Sequence, residues 1–184
     1  DERWYVCRNA VFILGQIGGE GVLPMLELAS HHHEVRVRRA VVQALGNAAG
    51  PQRVPLLLDQ LGSNDAQLLS AALNMLGRFR SPVIARAILR QVEAPSFDQR
   101  PVDIQRALFG ALGEFGDDDV VPRLELLLHK GGWFAQATLE RSATARTLQR
   151  LGTPAALAAL EAGMRSRAEA VRTACLDAMN ARGL

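Results

Sequence analysis

The segment VRRAVVQALGNAA at residues 37–49 is answered, position for position, by VRTACLDAMNARG at 171–183. Working outward from Leu45 in the first of these, related strings stand at 13–18 (ILGQIG), 75–80 (MLGRFR), 111–116 (ALGEFG) and 147–152 (TLQRLG). Their anchors, Leu14, Leu45, Leu76, Leu112 and Leu148, are spaced by 31, 31, 36 and 36 residues, and Met179 follows 31 further on. Self-similarity at this period marks a repeat architecture, in which each unit needs its neighbours to complete a core.

Each unit reads as two helices. Twelve residues past the anchors stand Leu26, Leu57, Ile88, Leu124 and Leu160, and nine past stand Leu23, Val54, Ala85, Val121 and Leu157. Sixteen past come Leu61, Val92, Leu128 and Met164, with Ser30 the exception. Spacing by three and four is that of one buried helical stripe. A second stripe precedes the anchors, as in Ala10, Val11 and Leu14, or Val41, Val42 and Leu45. Between the stripes, Gly18, Gly116 and Gly152 lie four residues past their anchors, where glycine ends a helix at little steric cost. Pro24, Pro55 and Pro122 lie ten past, a place suited to the first turn of the next helix. Gly15, Gly46, Gly77 and Gly113, directly after the anchors, are expected inside the first helix. Each gives up about 1 kcal/mol there relative to Ala, which close approach of another helix would explain.

An A helix closing on ALGEFG (111–116), a short turn and a B helix opening VPRLELL (121–127) resemble the HEAT repeat, in particular the short HEAT-like repeats of the phycobilisome lyase type. The resemblance extends over nearly the whole chain. It implies an all-α, armadillo-type fold, a right-handed alpha-alpha superhelix of five helical hairpins and a partial sixth, with B helices lining the concave side. The expected units run 1–32, 33–63, 64–99, 100–133, 134–166 and, in part, 167–184, within a single domain. Terminal repeats of such arrays carry a polar outer face. Here the first A helix opens on Arg3, Trp4, Tyr5 and Val6, so the chain is expected to be a piece of a longer protein, with other repeats or a partner against its exposed ends.

Of the 184 residues, 48% are apolar and 22% charged, sufficient for a core. No run of about eighteen uncharged apolar residues suggests a membrane span. Twenty-one basic and nineteen acidic side chains leave +2, too balanced for an electrostatic commitment to nucleic acid or membrane. All the basic residues but Lys130 are Arg, a bias in keeping with a GC-rich bacterial genome. Two cysteines form no disulfide framework, which favours a reducing, cytoplasmic setting.

The inventory for catalysis is thin, and no cofactor is implied. His31, His32 and His33, followed by Glu34, fall between two units, where consecutive side chains splay apart; His31 and His33 offer at most a weak surface contact to a metal. HEAT-like deoxyhypusine hydroxylases hold iron with several His-Glu pairs, whereas only His33 and Glu34 form one here. Cys7 and Cys175 are expected as buried or half-buried small residues. Asp117, Asp118 and Asp119 are expected to cap a helix, and Arg8, Arg38, Arg39 and Arg106 to stack between repeats.

Two surfaces stand out as partner-binding candidates. The two long spacings are five-residue insertions at 93–101 and 129–136, carrying Phe97, Trp133 and Phe134 as a candidate aromatic edge; alternatively Trp133 and Phe134 fold back as the start of the fifth A helix and fill the gap left by the wider spacing. On the B helices, Arg86, Arg90 and Arg123, with Arg53 one unit earlier, either make a basic stripe or belong to a mixed-charge face with Glu27, Asp59, Glu125 and Glu161. The preferred reading is a non-enzymatic scaffold or adaptor that binds a protein or peptide. The alternatives are nucleic-acid binding through a basic concave face, as in HEAT-like alkylpurine DNA glycosylases, and an accessory role to a chromophore-lyase-like enzyme.

Overall fold

The computed structural model describes residues 3–48, 50, 52–79, 81–131 and 138–181. Among these, all regular structure is helical: α1 (Trp4–Ile17), α2 (Leu23–Ser30), α3 (Val35–Leu45), α4 (Arg53–Asp59), α5 (Ala66–Leu76), α6 (Pro82–Val92), α7 (Val102–Phe115), α8 (Val121–Leu128), α9 (Leu139–Leu151), α10 (Pro154–Met164) and α11 (Glu169–Asn180). Short 3-10 turns occupy Gln60–Gly62, Phe97–Gln99 and Asp118–Val120. Contacts divide the chain into two compact units, 1–80 and 81–184.

Both units are built in the same way. In the first, α1, α3 and α5 stack as one layer, while α2 packs on α3 and on α4, and α4 on α5. In the second, α7, α9 and α11 stack, while α8 lies against α9 and α10, and α10 against α11. The odd-numbered helices are thus A helices and the even-numbered ones B helices. The anchor residues Leu45, Leu76, Leu112 and Leu148 are fully buried, as are Leu26, Leu57, Ile88, Leu124 and Leu160 of the B stripe. Ser30, the break in that stripe, is buried too: its hydroxyl donates to the Glu27 carbonyl at 2.7 Å, and the buried Gln60 amide donates to the Ser30 carbonyl at 3.4 Å.

The glycine register divides in two. Gly18, Gly116 and Gly152 cap their helices, each donating its N–H to the anchor carbonyl four residues earlier at 2.9, 2.9 and 3.3 Å. Gly18 and Gly152 do so at φ 66° and 64°, a conformation only glycine takes freely. Gly15 and Gly113 lie inside helices, as expected. A Cβ on Gly15 would sit 3.0 Å from the Ala44 Cβ, so α1 and α3 touch there at backbone distance. Gly46 and Gly77 depart from the expectation. They stand just past the ends of α3 and α5, because positions 49 and 80 hold Ala and Arg instead of a capping glycine. Those two helices therefore close one residue past the anchor.

A second recurring device ties four of the A helices, α3, α7, α9 and α11, to the turn before them. Seven residues ahead of the anchor, Arg38 donates to the carbonyls of His32 and His33 at 2.7 and 2.8 Å. Arg172 does the same to Ser166 and Arg167 at 2.8 and 3.0 Å. Gln105 reaches Asp98 and Arg100 at 3.4 and 2.8 Å. Arg141, only 4% exposed, reaches Leu128 and Lys130 at 2.9 and 2.5 Å. The turn carbonyls, left without helical partners, thereby find donors.

Arg39 joins α3 to α5 through a two-pronged bond to Asp65, whose carboxylate also accepts the Leu68 amide at 2.7 Å as the N-cap of α5. The bond from Arg39, and to a lesser degree that amide, holds the Asp65 carboxyl below its ordinary range against the opposing effect of burial. A carboxyl whose pKa is depressed on folding stabilises the protein above its unfolded value of about 3.9 and ceases to do so as pH falls through the folded value. Stability is accordingly expected to decline below about pH 4, and Asp65→Asn to flatten that decline. Asp65→Ala is expected to cost about 1–2 kcal/mol at neutral pH, read from urea titrations followed by circular dichroism.

Candidate functional site

Of the B-helix arginines, Arg86, Arg90 and Arg123 are exposed and Arg53 is half-buried, and together they do not form a uniform stripe. Arg123 Nε donates to Glu93 at 2.6 Å, and Arg86 lies 3.6 Å from Asp119. The Glu93 carboxylate raises the pKa of Arg123. Arg53 is engaged inside its own unit, donating to the Ala48 carbonyl at 2.8 Å with its guanidinium 4.7 Å from the centre of the Phe79 ring. The result is a mixed-charge surface, on which only Arg90 is exposed with no ion pair among the described residues. Asp117 caps the 3-10 turn before α8 through the Asp119 amide at 3.0 Å, the expected role for that acidic run.

The insertions do not present the expected aromatic edge at Phe97. This ring is 2% exposed and meets Phe109 edge-on, with centroids 5.6 Å apart. The 93–101 insertion winds into a 3-10 turn that drops Phe97 onto α7, so the residue belongs to the core and is not a contact residue. Trp133 and Phe134 lie outside the described residues. Beside the insertion, a hollow of about 300 Å³ is bordered by Arg123, Glu93, Lys130, Glu140 and Asp98, of which Arg123 pairs with Glu93 and Lys130 with Glu140.

His32 and His33 stack at 4.4 Å, and His32 Nδ1 accepts the Glu34 amide at 3.0 Å. Burial, and next the neighbouring His33, lower the His32 pKa. Neither His31 nor His33 joins two further His, Cys, Asp or Glu side chains, and the described residues contain no such group of three placed for a metal. Cys175 is buried under α10, where a Cβ on Gly163 would collide with its sulfur. Burial pushes this thiol up to about 11, which keeps it protonated and unreactive. Cys7 is half-buried. Trp4 is half-buried as well, with the guanidinium carbons of Arg8 and Arg36 at 5.2 and 4.6 Å from its ring centre.

A further cleft lies elsewhere, between α7 and α9. It measures about 560 Å³ and is lined by Arg106, Phe109 and Gly110 of α7, by Thr138, and by Leu139, Ser142, Ala143, Arg146, Thr147 and Arg150 of α9. Glycine makes it possible. A Cβ on Gly113 would stand 3.0 to 3.3 Å from the Arg150 stem, so that stem lies directly across α7. Gly110 leaves the space beneath the guanidinium open. Sequence reasoning gave Arg106 a stacking role and passed over Arg146 and Arg150. Among the described residues none of the three makes an ion pair or hydrogen bond, and no carboxylate lines the cleft.

A second unassigned surface is α1. On α3, α7 and α11, the positions eight, four and one before the anchor are buried, as at Val37, Val41 and Ala44 or Val171, Cys175 and Ala178. Their equivalents on α1, Val6, Ala10 and Ile13, are exposed, and Ile17 extends the same line. Ile13 and Ile17 are 58% and 69% exposed, and Leu28 on α2 is 82% exposed. The buried side of α1, Val11 and Gly15, faces α3.

Stacked A helices, B helices against the following A helix and a donor clasp before four of the A helices define a helical-repeat protein of the α-solenoid class. Residues 1–77 match the family model described as HEAT repeats. No curated protein matches the chain. No described helix is long and apolar enough to cross a membrane.

Proposed function

We propose that the chain is a non-enzymatic scaffold module that binds other proteins, as HEAT repeats generally do. The observation that carries this reading is the uncovered face of α1, where Val6, Ala10, Ile13 and Ile17 form a continuous helical line of exposed apolar side chains. A contiguous apolar surface of this kind favours association. The occupant that fits is another helical hairpin of the same repeat type, because on α3, α7 and α11 the equivalent positions are buried. A second copy of the chain is therefore the probe. Concentration-dependent self-association is expected in sedimentation equilibrium. Ile13→Glu with Ile17→Glu is expected to weaken it about tenfold or more while leaving the helical circular dichroism unchanged. A chain that stays monomeric at its highest soluble concentration would count against this docking surface.

The nucleic-acid alternative draws less support, since Asp119 and Glu93 interrupt the arginine stripe it requires. An accessory role beside a chromophore-lyase-like enzyme rests on the repeat subtype alone. A cytoplasmic, bacterial setting follows only from cysteine usage and the arginine bias.

A further inference from the structure

A groove runs at the same register between α1 and α3 in the first unit and between α7 and α9 in the second, and the two are filled differently. In the first unit, between α1 and α3, the groove is a hollow of about 100 Å³ whose polar lining is the amides Gln16, Gln43 and Asn47. Asn47 closes it by donating to the Gly15 carbonyl at 3.0 Å. In the second unit, the residues equivalent to Gln43 and Asn47 are Arg146 and Arg150, and the groove has opened to about 560 Å³. Arg106 approaches from α7 on the opposite wall. Ser142 and Thr138 add hydroxyls, while Phe109, Leu139 and Ala143 supply apolar lining.

Guanidinium forks pair bidentately with carboxylates and phosphates, so unpaired arginines around one cleft select an anion. The apolar lining between them selects a ligand that carries hydrocarbon beside its charges. A nucleic-acid backbone needs a longer cationic track than three residues supply, and the net charge of +2 leaves little elsewhere to extend it. We infer that the cleft between α7 and α9 is a binding site for an acidic peptide segment, its carboxylates held by Arg106, Arg146 and Arg150 and its apolar side chains set against the half-buried Leu139 and Ala143. The site is separate from the α1 face and does not depend on it.

The test is fluorescence anisotropy with a fluorescein-labelled peptide of alternating glutamate and leucine. The same peptide with glutamine replacing glutamate, and a single-stranded oligothymidylate of equal charge, serve as comparisons. The protein carries Ile13→Glu with Ile17→Glu, so that failure of the α1 reading and failure of this one are distinguishable. Saturable binding of the glutamate peptide is expected, weakened about tenfold or more by Arg146→Glu with Arg150→Glu. The arginine Nε–Hε NMR signals of residues 106, 146 and 150 in the protein with its cleft intact are expected to shift on titration. Binding of the glutamine peptide with equal affinity, tighter binding of the oligothymidylate, or arginine signals that do not move would each overturn the assignment. The NMR readout needs no cleft variant to fold.

Discussion

Phe97→Ala is expected to destabilise the protein by about 3–5 kcal/mol, the cost of deleting a fully buried aromatic side chain. The ring is 2% exposed and packs edge-on against Phe109 of α7, so truncation removes its burial, leaves a cavity and breaks a favourable aromatic pair. The backbone around it cannot readily collapse, because the turn is held by Gln105, which donates to the carbonyls of Asp98 and Arg100. Urea denaturation followed by circular dichroism measures the loss. Were Phe97 a contact residue on the surface, the same substitution would leave the unfolding midpoint within a few tenths of a kcal/mol of the parent. The two roles therefore separate by about a factor of ten in energy.

The second large effect is expected at Arg141. Its Nε and one terminal nitrogen donate to the carbonyls of Leu128 and Lys130, and the residue is buried. Arg141→Ala leaves both carbonyls without these donors and opens a void under the turn, at an expected cost of about 2–4 kcal/mol. Arg141→Lys should recover little of this, since an ammonium group cannot place two donors in the fixed fork that spans two carbonyls. Arg172→Ala, at the same register with its partners nearer the surface, provides the internal comparison. Thermal unfolding of the three variants side by side orders them, and equal midpoints for Arg141→Ala and the parent would refute the clasp.

The fold was legible because its signals have local causes. Leu45, Gly18 and Pro122 each report a single physical requirement, namely a buried stripe, a left-handed cap and a helix start without an N–H, and each recurs in register. Gly46 and Gly77 were misplaced by that logic because the signal that decides them lies three residues further on, at positions 49 and 80. An insertion reads as projecting outward, which puts Phe97 at the surface, whereas a 3-10 turn returns the ring to the core. The cleft was harder to see. Arg106 is distant in sequence from Arg146 and Arg150, and only the stacking of α9 on α7 brings them together. One sequence signal could have found it: aligning the units by register puts Arg146 and Arg150 opposite Gln43 and Asn47, a change from amide to cation at two groove positions of one repeat. The apolar line on α1 was missed for a related reason, since Val6, Ala10 and Ile13 look like any other A-helix stripe until their exposure is compared with that of later units.

The turn clasps also impose a direction on synthesis. In every instance the donor lies downstream of the carbonyls it binds, by five and six residues at Arg38 and Arg172, five and seven at Gln105, and eleven and thirteen at Arg141. On a chain emerging from the ribosome N-terminus first, at roughly 5–20 residues per second, each turn stays unfastened until the start of the following helix has left the exit tunnel. Each clasped turn is thus completed by the helix after it, and the long interval at Arg141 makes the turn after α8 wait longest for its latch.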